Sequence, residues 1–211
     1  MGRGSSGAGA NLGKGGGGVD SRNIKNERDL LSDSKVNRAD VGDVLNVARD
    51  ISDEYSVDVG QFMLAEIGGK DSNTMAYSDG TDIGFNSNYF DGGRMDQAYD
   101  ACVASGFHPS KGNKTAMQAV ASHEYGHVLT QQAGMKLGQP DMDAAAKIIV
   151  DRARATTSHK GSVSMAKKIS GYAGHSNAEC VAEAIADVYC NGSKAAAESR
   201  AIVKELKNIL K

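Results

Sequence analysis

Thr115-Ala116-Met117-Gln118-Ala119-Val120-Ala121-Ser122-His123-Glu124-Tyr125-Gly126-His127-Val128-Leu129-Thr130-Gln131-Gln132 is the stretch on which the reading of this 211-residue chain turns. Thr115 followed three residues later by Gln118 has the pattern of a capping box. Met117, Val120, Ala121 and Val128 recur at helical spacing, so a helix is predicted from Thr115 to about Gln132, with Gly134 as its stop. On that helix His123 and His127 lie one turn apart on one face. Their ring nitrogens can both approach a metal to about 2.0–2.1 Å without bending the backbone. Glu124 directly follows the first histidine; it does not ligate but projects beside the metal, where it can take a proton from a bound water. Zinc in such a site lowers the pKa of water from about 16 to about 7 and polarises a carbonyl. The alternative is a surface helix with two solvated histidines. Gly126 counts against it, because a glycine costs about 1 kcal/mol in a helix interior and needs a reason. Close approach of another element to the metal face is one.

Catalytic zinc usually has three protein ligands and a water. The pattern HExxHxxGxxH, with a third histidine six residues after the second, is excluded: Thr130 and Ala133 stand where it needs Gly and His. Further on, a helix is predicted from about Asn177 to Tyr189, ended by Asn191-Gly192. Glu179, Glu183 and Asp187 line one of its faces at spacings of four, away from Val181, Ile185 and Val188. Such a row is often only a solvated face, and Ser176-x-x-Glu179 is also a capping-box pattern. Yet no Lys or Arg lies between Asn177 and Cys190 to pair with these carboxylates, which favours a metal and its histidines as their partners.

His123 to His127, then Ser170-Gly171-Tyr172, then Asn177-Ala178-Glu179-Cys180-Val181-Ala182-Glu183 resembles the catalytic domain of the lethal-factor-type metallopeptidases. Their relatives include metallopeptidase domains of phage head-associated proteins. In that family a tyrosine precedes a glutamate ligand by seven residues, the separation of Tyr172 and Glu179. The resemblance covers about residues 115–189, and Cys180-Val181 stand here where aromatic residues are common in the family. It implies a zincin-like fold, Zn2+ held by His123, His127 and Glu179, and Glu124 as general base. It further implies Tyr172 as hydrogen-bond donor to the oxyanion and Glu183 orienting a histidine, with Asp187 further along the same row. His175, in the loop that carries Tyr172, is a candidate for substrate contact. His108 and His159 read as ordinary loop histidines.

The remaining chain frames this region. Residues 1–18 contain nine glycines, and residues 1–35 as a whole read as a flexible Gly/Ser-rich and polar segment. Residues 36–211 read as one zincin-like domain. A helix is expected over 40–54 with Asp40 as N-cap, then a buried strand over 61–67. Asp79-Gly80 signals a hairpin within 74–86. Helical spacing returns at Met95 to Val103, after Asp141, around Val163-Ala166-Ile169, and from Ser193 with Ile202, Leu206 and Ile209 inward. The fold class is therefore α+β, with a small early sheet and a mostly helical second half. Extended peptide substrate is expected to pair with residues 81–86 as an edge strand.

A net charge of −2 with basic residues scattered among acids gives no support for nucleic-acid binding. No apolar run suits a membrane span and no signal-peptide core is evident, so no membrane partner and a cytoplasmic or virion-associated setting are expected. Three cysteines without a CxxC pair suggest small buried hydrophobes in a reducing compartment. Together these observations predict a zinc endopeptidase. The rival readings are a non-peptidase zinc amidase and a virion interaction protein that retains a zinc site.

Overall fold

The computed structural model describes residues 36–60, 62–69 and 72–211, with the backbone of Gly4–Gly7. Of the N-terminal segment 1–35 expected to be flexible, Gly4–Gly7 forms a short strand and the rest lies outside the described residues.

Four strands, β1 (Gly4–Gly7), β2 (Phe62–Ala65), β3 (Thr74–Ser78) and β4 (Ile83–Asn86), form one sheet in the order β1-β3-β4-β2. Seven α-helices are described, α1 (Arg38–Tyr55), α2 (Arg94–Ala104), α3 (Ala116–Lys136), α4 (Met142–Ala155), α5 (Ser162–Ala166), α6 (Asn177–Asn191) and α7 (Ala197–Leu210), with short 3-10 helices at Ser87–Tyr89, Tyr172–Gly174 and Gly192–Lys194. The protein is α+β and mostly helical. Among the described residues no helix is long and apolar enough to cross a membrane.

The expected hairpin is β3 and β4, paired antiparallel. Asp79 closes its turn by accepting from the amides of Thr81 and Asp82. Tyr77 lies across from Gly84, and its ring fills the space a side chain there would need: an added Cβ would stand 2.2 Å from Tyr77 Cε1. The expectation that residues 81–86 offer a free edge is wrong. β4 is internal, because the earlier strand β2 pairs with it in parallel on the other side. All four residues of β4 are buried.

α3 is the central element. Its capping box is present, with Thr115 Oγ1 accepting from Gln118 N and Gln118 Oε1 from Thr115 N. Nearly every residue from Ala116 to Thr130 is buried, as befits a helix enclosed by structure on all sides. α1, α4, α6, α7 and strand β3 all pack on it. α3 runs past Gly134, which lies inside the helix under Gln139 and Ala145, and the left-handed Gly138 (φ +67°) follows the real end.

Smaller corrections have local causes. Asn37 rather than Asp40 caps α1, its Oδ1 taking the amides of Ala39 and Asp40. Asp40 instead accepts from Gly92 N. Val163 is exposed, because α5 is too short for its spacing to define a buried face, and only Met165 and Ala166 turn inward. In α7 it is Leu210, with Ile202 and Leu206, that is fully buried, and Ile209 only partly. Asp141 caps α4 as expected, accepting from Ala144 N.

Candidate metal centre

α3 and α6 cross in close contact and bring the two halves of the site together. Gly126 makes this possible: a Cβ there would lie 2.9 Å from Cα of Ala182. His127 directly follows Gly126 and Glu183 directly follows Ala182, with His123 and Glu179 about one turn before them, so the contact sets the histidines of α3 against the carboxylate row of α6.

His123, His127 and Glu179 converge with all three buried, each offering a ligand atom within 4.8 Å of the others. Nε2 of His123 is 3.1 Å and Nε2 of His127 is 3.5 Å from Oε2 of Glu179. Despite this proximity, none of these three atoms makes a hydrogen bond of proper geometry with a described residue. Buried polar atoms are normally satisfied, so three that point at one small volume without bonding one another fit a cation between them. The group can hold a metal ion. Glu124, on the same turn, is completely buried beside them.

Ser176 caps α6 by accepting from Glu179 N. The reciprocal half of a capping box is missing, because the Glu179 side chain turns to the histidines and to Tyr172, whose hydroxyl donates to Glu179 Oε1 at 3.2 Å. The Glu179 carboxylate therefore presents one oxygen to Tyr172 and the other to the histidines.

One turn further, Glu183 is saturated. Its Oε1 lies 2.8 Å from His123 Nδ1 and 3.0 Å from His108 Nδ1, and its Oε2 accepts from Ser170 Oγ at 2.6 Å. Burial alone would raise the Glu183 pKa, but the charge and hydrogen bond of His108 and those of His123 hold it down at about 2. For Glu179 burial also pushes upward and is outweighed by His127 and His123, which leave it well below the carboxylate range. Burial pulls His123 down; the close approach of the Glu179 carboxylate, together with the hydrogen bond and charge of Glu183, reverses this and sets it well above its ordinary value in the metal-free chain.

Asp187 does not belong to this centre. It sits two turns beyond Glu179, where α6 has left the histidines, and it secures the start of α7 instead. Its Oδ2 accepts from Ala196 N and Ser199 Oγ, and its Oδ1 from Asn191 Nδ2. His175 is exposed, with its ring 5.0 Å from that of Tyr172 and 5.8 Å from that of Phe107. His159 pairs with Glu198 at 2.7 Å, joining a loop to α7.

His108 is the main surprise. It is buried rather than a loop histidine at the surface. Its segment is bound to the one that carries Tyr172: Gly171 N donates to Gly106 O and Tyr172 N to Phe107 O. Ser170, a second unexpected partner, accepts from Ala173 N while donating to Glu183. No spacing rule in the sequence points to either, since both reach Glu183 through long-range contacts.

Of the three cysteines, Cys102 and Cys180 are buried and Cys190 partly so, all unpaired. Burial pushes the thiols of Cys180 and Cys190 up to about 12, so they remain protonated. No family model, no curated protein and no solved structure matches this chain.

Proposed function

We propose that the protein is a zinc-dependent endopeptidase of zincin-like fold. The observation that carries this reading is the convergence of Nε2 of His123, Nε2 of His127 and Oε2 of Glu179 in a buried group beside Glu124. Two nitrogens and one carboxylate oxygen are a donor set suited to catalytic zinc. A bound Zn2+ would supply Lewis acidity toward the scissile carbonyl and acidify the attacking water.

The chain's own groups do the remaining work. Glu124 takes the proton of the water on its carboxylate and passes it to the departing amine nitrogen. A purely structural metal site has no use for a non-ligating carboxylate at that position. Tyr172 holds its hydroxyl within reach of the ligand carboxylate, and turned toward the substrate it donates to the oxyanion. Glu183 accepts the Nδ1 proton of His123, which leaves the Nε2 lone pair of that ring for the metal. His175 and Phe107 stand next to Tyr172 and meet the peptide on its way to the centre. The resemblance to the lethal-factor-type peptidases supports the same assignment and suggests a phage-associated role.

Elemental analysis of purified protein tests the proposal. About one zinc per chain is expected, lost in Glu179→Ala and retained in weakened form in Glu183→Ala. A screen of extended peptides against small amides then separates a peptidase from an amidase. Wild-type protein that takes up no zinc after reconstitution would sink the reading.

A further inference from the structure

We propose that His108 is a positioning residue of the metal centre: it shares Glu183 Oε1 with His123 and so locks the carboxylate that selects the ligating tautomer of His123. The proposal rests on the metal-centre reading above.

Glu183 is gripped from three separate parts of the chain. His123 on α3, His108 in the loop after α2, and Ser170 in the loop before α6 all bond it, at 2.8, 3.0 and 2.6 Å. A carboxylate bonded only to His123 can swing about its terminal torsion, which has broad wells. With a second donor on the same oxygen and a third on the other, it has one orientation. That orientation matters because the Nδ1 proton of His123 must stay on the Glu183 side for Nε2 to keep a lone pair. Nε2 is the atom that faces Glu179 at 3.1 Å.

His108 is itself held rigidly. Its ring stacks on Tyr99, centroids 5.3 Å apart and planes 4° from parallel, and the Tyr172 ring stands nearly perpendicular to it with centroids 5.4 Å apart. Tyr99 donates its hydroxyl to Pro109 O, and Phe107 N donates to Cys102 O, so the loop is pinned on both sides of the histidine. Packing alone does not call for an imidazole here. A phenylalanine would stack on Tyr99 equally well and bring no polar atoms into a buried site. Nε2 of His108 makes no hydrogen bond with a described residue, so its polar function is concentrated in the Nδ1 bond to Glu183.

The test is the zinc dissociation constant by chelator competition in four proteins: wild type, His108→Phe, His108→Asn and His108→Leu. Phenylalanine keeps the ring and removes the donor. Asparagine removes the ring and returns an N–H near the position of Nδ1. Leucine has the shape of asparagine without a donor. The proposal expects affinity to follow the donor: a loss of about 10–100-fold in the phenylalanine and leucine variants, largely recovered by asparagine. The absorption bands of the Co2+-loaded protein should shift in the same two variants, reporting a changed ligand geometry. Should the phenylalanine variant fail to fold, the asparagine and leucine pair gives the same comparison. Wild-type affinity in the leucine or phenylalanine variant, or an asparagine variant no better than leucine, would overturn the role of His108 and leave the metal centre standing. Absence of zinc binding by the wild type would instead remove the metal centre itself.

Discussion

Gly126 on α3 lies so close to Ala182 on α6 that a methyl group added to it would stand 2.9 Å from Ala182 Cα and 3.4 Å from both its Cβ and its carbonyl oxygen. The two helices that carry the converging His123, His127 and Glu179 side chains therefore touch at backbone distance beside that group. In isolation Gly→Ala in a helix gains about 1 kcal/mol. Here the atoms in the way are backbone, which cannot rotate aside, and overpacking of this kind costs about 1–3 kcal/mol. The clash should win. Gly126→Ala is expected to lower the urea midpoint and to weaken zinc binding by prising Glu179 away from the histidines. A variant more stable than wild type, with zinc affinity intact, would show that the helices do not approach so closely.

How much of this was legible beforehand follows from the range of the interactions involved. The capping box of α3, the cap at Asp141, the hairpin at Asp79-Gly80 and the ligand spacing of His123 and His127 depend on residues within a few positions of one another, and sequence patterns record them well. Gly126 was legible as a puzzle, since an interior helical glycine needs a neighbour to explain it, but not as a contact with Ala182. The internal position of β4 was not legible, because a parallel partner such as β2 leaves no mark on the strand it joins. Asp187 shared the spacing of Glu179 and Glu183, and spacing cannot tell where along a helix its partner ends. His108 reaches Glu183 across 75 residues from a loop without periodicity.

Glu124→Gln should separate binding from turnover. The amide keeps the shape of the side chain but cannot hold the proton of the attacking water. General-base removal typically costs 10²–10⁴-fold, and a fall in kcat/KM of about that size is expected against a cleaved peptide. Zinc content should stay at that of the wild type, because Glu124 is not among the converging ligand atoms. A variant that cleaves at the wild-type rate would take the general-base role away from Glu124.

Asp187 and Glu183, neighbours on one face of α6, should respond in opposite ways. Asp187→Ala leaves Ala196 N, Ser199 Oγ and Asn191 Nδ2 without their acceptor at the start of α7. An unsatisfied buried donor costs about 1–3 kcal/mol, so thermal stability should fall while zinc affinity holds. Glu183→Gln should instead weaken zinc by about 10–100-fold, because the group that fixes the His123 tautomer is altered. Equal zinc loss in both variants would mean that the whole acidic row serves the metal.

Zinc uptake should release a proton, and the source is His123. In the metal-free chain this ring stands between Glu179 on Nε2 and Glu183 on Nδ1, and they hold its pKa well above the ordinary 6.5 despite burial. The two carboxylates therefore favour the metal-free imidazole protonated on both nitrogens, whereas ligation needs the Nε2 lone pair. Glu179 and Glu183 are already ionised and contribute no proton. Affinity should rise about tenfold per pH unit through neutrality and level off once the pH passes the raised pKa of His123. Calorimetry at pH 7 in two buffers of different ionisation enthalpy should give about one proton released per zinc from this group. The same shifts fix the stability of the metal-free protein. A raised His123 stabilises fully below pH 6.5 and loses its contribution as pH climbs through the folded-state value. The depressed Glu183 stabilises above 4.5 and loses its contribution as pH falls toward about 2. The cluster should therefore support the metal-free fold best between about pH 4.5 and 6.5, and zinc loading should move that optimum upward. No proton release, together with a metal-free stability that is flat through pH 6–8, would mean that His123 is neutral before the metal arrives.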